Sequence, residues 1–462
     1  MTKYRFLKYT ITIFCFLYAG SVYSQDTLWY DDFMQMVKSN HPDAVNANLI
    51  QEQADLQLRA ARGAFDPELV SKYKEKYFQD KFYYRVFDAQ LVVPTLLGVD
   101  FVAGYGNNDG LFLNEQNYTP YGGTGYVGVK IPLGYGLFTD ENRTQLNLAK
   151  QQKDQMNALA ELTLNDLLLE ASTSYWYWYE TKNVANNQEE AINVAYDRFE
   201  MVRNFFYAGE LAAIDTLKAY IQYQDRITDF LSAKQNEVNA HWNLMTYFWD
   251  TTLYLRDDLI PEPINDTISS ELPSQANAGF WQTHPALVYY MTKYNSYDIE
   301  RKLKAEKLKP KLNFEYTHLY NQVFTSFDGF GDNQVWGFSF SFPLFLREER
   351  NQLKISKLKM EQAKNEYLAK ERELSTKLAS YEDQFELIQS QIQNQLNVLE
   401  NYTKLLDAET IKYRIGESTL FELNAWEQKQ IKTQNKVYQL KSKLNVVSAK
   451  IAWVLVSWNP IP

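Results

Sequence analysis

The sequence predicts a mixed α and β membrane protein built by internal duplication. Strands contribute to a transmembrane β-barrel shared among chains, and long antiparallel, coiled-coil-like helices make up most of the rest. Three observations predict this: a set of landmarks that recurs in one order, aromatic strands with a two-residue period, and two helical runs of unusual length.

The duplication comes first because self-similarity decides architecture before local motifs do. His41-Pro42-Asp43 returns as His284-Pro285-Ala286, and Pro67-Glu68-Leu69 returns as Pro310-Lys311-Leu312, both displaced by 243 residues. Lys130-Ile131-Pro132-Leu133 returns as Ser341-Phe342-Pro343-Leu344 at 211, and Phe206-Tyr207-Ala208-Gly209-Glu210 as Tyr413-Arg414-Ile415-Gly416-Glu417 at 207. The spacing changes mostly between Leu69 and Pro132, so the first copy carries extra sequence there. The expected division is a signal peptide over 1–24, a first repeat over 25–254, a linker over 255–277 and a second repeat over 278–462. Pro261, Pro263 and Pro273 with interspersed Asp and Ser mark the linker.

Residues 1–24 read as a secretory signal: Lys3, Arg5 and Lys8 precede an apolar run from Tyr9 to Ala19 that is short for a membrane span. Cys15, the only cysteine, follows Phe14 inside that run, a poor setting for a lipid-anchored cysteine. The mature chain would then have no thiol chemistry. Its net charge would move from −10 to −13, which disfavours nucleic acid as a partner.

The strand evidence is alternation. Leu312, Phe314, Tyr316, His318 and Tyr320 alternate with Asn313, Glu315, Thr317 and Leu319, while Phe338, Phe340 and Phe342 alternate with Ser339 and Ser341. In the first copy Val127, Val129 and Ile131 do the same. Its added segment shows Phe87, Ala89, Leu91 and Val93, a turn over 94–98, then Val99, Phe101, Ala103 and Tyr105. Apolar-out, polar-in strands with abundant aromatics are the pattern of a barrel in lipid. A soluble sheet with one wet face shows the same alternation; the export signal and the helices favour the barrel.

Residues 143–205 and 347–414 contain neither proline nor glycine and are rich in helix formers. Each predicts a helix roughly 95 to 100 Å long at 1.5 Å per residue. Leu353, Leu358, Tyr367, Leu374, Leu378, Phe385, Ile388, Ile392 and Leu396 recur at threes, fours and sevens, as a packed stripe requires. After breaks at Gly209 and Gly416, return helices are expected over 214–254 and 420–458.

Four strands cannot close a barrel, and open edges in lipid cost several kcal/mol per unpaired group, so several chains must share one. If the added hairpin 86–105 also spans, each chain contributes six strands; the sequence leaves both counts open. Strand pairs ending in an apolar-Pro-Leu step, the two long helices, and the aromatic-x-x-Gly turns followed six residues later by an acid together carry a family resemblance. Over essentially its whole mature length the chain resembles the TolC-type outer membrane factors, the outer membrane efflux protein family. The resemblance implies a homotrimer with a twelve-stranded barrel in the outer membrane of a Gram-negative-type envelope and a large periplasmic helical tunnel. It also implies two partners, a periplasmic adaptor (membrane fusion) protein and an inner-membrane transporter of the RND or ABC type. The implied role is a passive exit duct of a tripartite efflux pump or type I secretion system.

The expected site is the helical tips. Gly209, Glu210, Gly416 and Glu417 form the hairpin reversals and the adaptor contact, and Pro132 and Pro343 mark the strand ends at the barrel–helix junction. Asp215 and Glu422 stand six residues beyond the glycines, and three copies of such acids would form a cation-selecting ring; as ordinary first-turn acids they would simply suit the helix dipole. The resemblance implies that Tyr413 ties the closed tip to Asp215. Ser418 and Ala425 depart from the family there, which points to a single-acid constriction and a looser lock.

The remaining motifs yield no chemistry. Tyr175 to Tyr179 is a run of five aromatics expected to pack between helices. Gly123-Thr124-Gly125-Tyr126-Val127-Gly128 precedes a strand and no helix, so it fails as a dinucleotide site. The four histidines do not cluster, and no catalytic set, cofactor or metal site is expected. The rival reading is a trimeric coiled-coil structural or anchor protein of the cell envelope, which would not need return helices.

Overall fold

Freedom from proline and glycine lets two helices run without interruption. The computed structural model describes residues 27–249, 259–262, 280–321 and 333–458. The elements run β1 (Thr27–Leu28), α1 (Tyr30–Asn40), α2 (Pro42–Arg62), β2 (Glu68–Phe78), β3 (Lys81–Pro94), β4 (Asp100–Asp109), β5 (Thr124–Pro132), α3 (Glu141–Tyr207) and α4 (Ala213–Met245). They continue with β6 (Ile260–Pro261), α5 (Phe280–Thr283), α6 (Pro285–Glu306), β7 (Lys311–Asn321), β8 (Gln334–Ser341), α7 (Arg347–Arg414) and α8 (Leu420–Leu455). Helices α3 and α7 have 67 and 68 residues, close to the predicted bounds. No helix among the described residues is long and apolar enough to cross a membrane.

Several expectations need correction. The first return helix ends at Met245, with a turn following, rather than running on toward Tyr254. The second ends at Leu455, where Val456 takes the left-handed conformation (φ 49°). Leu358 of the predicted α7 stripe is 60% exposed, whereas Leu374, Leu378, Phe385, Ile388 and Ile392 are buried. Within the expected linker, Ile260 and Pro261 pair in parallel with Thr27 and Leu28. The signal peptide and the remainder of the linker lie outside the described residues.

The chain divides into two compact units, and each draws on both sequence repeats: 1–44, 166–274 and 378–462 form one, and 45–165 with 275–377 form the other. In the second unit β2, β3, β4, β5, β7 and β8 form a single antiparallel sheet in that order, joined across the repeats by β5 and β7. Leu69, Leu91, Ala103, Val127, His318 and Gln334 fall in one row across all six strands. Strand β2 is the element that the sequence did not announce, because Ser71 and Glu75 interrupt the apolar positions Leu69, Tyr73 and Tyr77. Pro132 ends β5, and Pro343 follows β8 by two residues. Pairing to the start of β7 continues beyond Pro132, where the Tyr135 amide donates to the Pro310 carbonyl at 2.8 Å. Gly134 is required there, since a Cβ would stand 2.0 Å from the Pro310 oxygen.

The first unit is a packed set of long helices. Contacts of α3 with α4 run Phe199 to Tyr220, Tyr196 to Tyr223, Lys182 to Glu237 and Trp178 to His241. Each step back along α3 is matched by an equal step forward along α4, so the two are antiparallel and in constant register. On its other side α3 meets α8, through Asn187 to Asn435 at 2.7 Å and Ser442 to the Trp176 carbonyl at 2.8 Å. The aromatic run forms the core here: Tyr175, Trp176, Trp178 and Tyr179 are buried and only Tyr177 is exposed. Tyr175 stacks on Phe33 at 5.5 Å, and its hydroxyl donates to the Leu28 carbonyl at 2.6 Å and accepts from the Glu262 amide at 3.1 Å. That hydroxyl therefore pins both strands of the small β1–β6 pair to α3. Tyr175→Phe should lower stability by about 1–3 kcal/mol, the cost of buried groups left unpaired, read as a lower Tm in detergent; an unchanged Tm would contradict the pinning role.

Candidate functional site at the helical tips

The two long hairpins reverse in the same way. The Glu210 amide donates to the Phe205 carbonyl at 2.9 Å and the Gly209 amide to the Phe206 carbonyl at 3.0 Å. In the second copy the Glu417 amide donates to Lys412 at 2.9 Å and the Gly416 amide to Tyr413 at 3.1 Å. Both patterns are Schellman caps, which need a left-handed residue at the glycine position. Gly209 and Gly416 supply it with φ of 81° and 80°. Nothing lies within 4 Å of a Cβ added at either, so the demand is conformational and not spatial.

Inside the tips the copies diverge. Val202, Ala219 and Leu420 form a buried cluster against which Phe199, Leu211 and Tyr413 pack, so the tip of the second hairpin seats on the first. At the 207-residue offset Glu409 replaces Val202 and Ser418 replaces Leu211. An apolar contact in one copy thus becomes polar in the other: the Ser418 hydroxyl bonds the Glu409 carboxylate and lies 3.2 Å from a Glu422 oxygen. Thr419 caps α8 by accepting from the Glu422 amide at 3.3 Å, whereas the equivalent Ala212 offers α4 no side-chain cap.

Asp215 and Tyr413 are brought near one another in a single chain. Burial first, and then the Asp215 charge, hold the Tyr413 phenol above its ordinary pKa, so it stays a neutral donor at physiological pH. No hydrogen bond joins them among the described residues; Asp215 pairs instead with Lys218 at 3.1 Å. Glu422 lies with the Ser418–Glu409 group, so the two tip acids occupy different surroundings. Glu210 and Glu417 stand at the exposed reversals.

Sequence reasoning missed the ion pair behind the tip. Arg198 of α3 reaches Glu427 of α8 and also donates to the Asn424 side-chain oxygen at 2.8 Å, with both charged side chains nearly buried. Arg198 also lies close enough for its charge to oppose the upward shift of Tyr413. A signal existed: at the repeat offset Arg198, Asn424 and Glu427 match Leu405, Leu217 and Tyr220, so the polar trio stands in one copy only.

Residues 292–452 match the sequence model of the family described as outer membrane efflux protein. The fold is similar to the Campylobacter jejuni CmeC outer membrane channel, with TM-score 0.70, 13% identity and 92% of this chain against 85% of that one. It is similar to VceC, an outer membrane protein of Vibrio cholerae, with TM-score 0.66, 13% identity and coverages of 92% and 95%. It is also similar to the open state of the Neisseria gonorrhoeae MtrE outer membrane channel, with TM-score 0.66, 13% identity and coverages of 92% and 88%. The resemblance to the outer membrane efflux proteins holds. No curated protein matches the sequence. Sequence relates the second repeat to this family of outer-membrane channels, which are not enzymes, and fold relates nearly the whole chain to them.

In this fold the Arg198–Glu427 pair ties α3 of one repeat to α8 of the other behind the tip. Arg198→Ala should cost about 3–5 kcal/mol, because it strands a buried carboxylate, and Glu427→Gln added to it should recover part of the loss. Thermal unfolding of both variants in detergent checks this; equal Tm values for wild type and Arg198→Ala would contradict it.

Proposed function

We propose that this chain is the exit duct of a tripartite efflux pump or type I secretion system, acting as a homotrimer in the outer membrane. The observation that carries this reading is the sheet. Among the described residues it has a largely exposed apolar band on one face and two unpaired edges, a combination that lipid on the band and further copies at the edges would satisfy. A periplasmic adaptor engages the Gly209-Glu210 and Gly416-Glu417 reversals, and an inner-membrane RND or ABC transporter supplies the energy. The duct itself conducts passively.

The tips act as the gate. Three Asp215 carboxylates around one axis give a ring that favours cations. Tyr413 holds the second hairpin on the first while the gate is closed, through its seat on the Val202 cluster and its proximity to Asp215. Opening requires the second hairpin to leave that seat, and the missing Tyr413–Asp215 hydrogen bond makes this lock a loose one.

Planar-bilayer recording tests the gate. The wild type should conduct weakly, and Asp215→Ala with Tyr413→Phe should raise single-channel conductance several-fold and reduce cation preference. Protein that never conducts, even with both substitutions, would overturn the gated-channel reading.

A further inference from the structure

The six strands share one pattern of alternation: the added hairpin 86–105, which lies in β3 and β4, follows it, and so does β2, which pairs with β3. On one face the row Leu69, Leu91, Ala103, Val127, His318 and Gln334 lies beside the row Val93, Phe101, Val129, Tyr316 and Trp336. A third row, Ser71, Ala89, Tyr105, Gly125 and Tyr320, completes a band with no Asp, Glu, Lys or Arg. Leu69, Leu91, Phe101 and Trp336 of this band are all exposed in the single chain. On that same side the charged row Glu75, Arg85 and Asp109 lies beyond the band, near the β2–β3 turn. The opposite face is charged throughout: Glu68, Lys72, Asp88, Asp100, Lys130 and Glu315 alternate with the band, although Val92, Val102 and Val335 share that side.

The polar face also binds the hairpin to the rest of the sheet. Tyr126 of β5 crosses β4 and donates its hydroxyl to Asp88 of β3 at 2.8 Å. It passes over Gly104, where a Cβ would stand 2.4 Å from the ring, so β4 has left room for this bond. A hairpin projecting out of the membrane would need neither a charge-free band in register with β5, β7 and β8 nor this cross-strand bond.

Among the described residues, strands β2 and β8 are the two free edges of the sheet. Six antiparallel strands bring β2 and β8 to run in opposite directions, so β8 of one copy can pair antiparallel with β2 of the next and repeat around a ring. We infer that all six strands span the membrane and that the occupant of each edge is a second copy of this chain, joined β8 to β2. This inference rests on the trimer of the proposed function, and with three copies the barrel has eighteen strands. At about 4.8 Å per strand and about 40° of tilt it is roughly 36 Å across, against roughly 24 Å for twelve strands. The outlet is therefore about one and a half times as wide as the resemblance implied.

Cysteine cross-linking of the full-length oligomer in detergent tests this. Trp336→Cys in β8 is combined in turn with Leu69→Cys, Ser71→Cys or Tyr73→Cys in β2, or with Phe101→Cys, Ala103→Cys or Tyr105→Cys in β4. Oxidation is expected to give covalent dimers and trimers with at least one β2 position and with none in β4. Cross-links through β4 alone would mean that the β2–β3 hairpin stands outside the ring, overturning the inference while leaving the trimeric duct intact. A particle mass of one chain would overturn the trimer itself, and the inference with it. Cryo-electron microscopy of the unmodified protein provides the second readout: eighteen strands support the inference and twelve refute it.

Discussion

Every backbone amide and carbonyl in lipid must find a partner, and that requirement shapes this chain more than any side chain does. A six-stranded sheet satisfies its interior strands and leaves two edges open. The alternation of its faces then assigns the apolar side to hydrocarbon and the charged side to water. In the proposed duct, assembly is thus a condition of the sheet's stability, and the duplication extends the sheet within one chain. β5 of the first repeat joins β7 of the second in the same antiparallel manner as strands within a repeat.

The helices obey a different rule. Uninterrupted helix formers make α3 and α7 long, and paired Schellman reversals at Gly209 and Gly416 turn each back on itself. Similarity between the copies builds the repeated hairpins. Differences at the tip set how they hold together: Val202 with Leu211 in one copy becomes Glu409 with Ser418 in the other, and Arg198 with Glu427 has no counterpart. An apolar seat and a polar group side by side give the two hairpins unequal attachments, as a gate that moves one hairpin would need.

Most of the fold was legible because it is written in periodicity. The bounds of α7 and the strands around Val127, Tyr316 and Phe338 follow from residue spacing alone. Strand β2 was not legible: Lys72, Lys74 and Lys76 face the polar side, and Glu75 interrupts the apolar one near the turn. The early end of α4 at Met245 was missed because no proline or glycine marks it, and the aromatic and β-branched residues from Thr246 onward disfavour a helix only weakly. At the tip the glycine reversals could be read directly, since only a left-handed residue closes that cap. The Arg198–Glu427 pair joins positions 229 residues apart and could have been suspected only by comparing the copies.

Hydrogen–deuterium exchange on the detergent-solubilised protein tests the central claim most directly. If the edges are joined between copies, the amides of β2 and β8 that point away from their own sheet should exchange as slowly as those of β4 and β5, and lose that protection when the oligomer is dissociated. Rapid exchange of those amides in the intact oligomer would contradict the account.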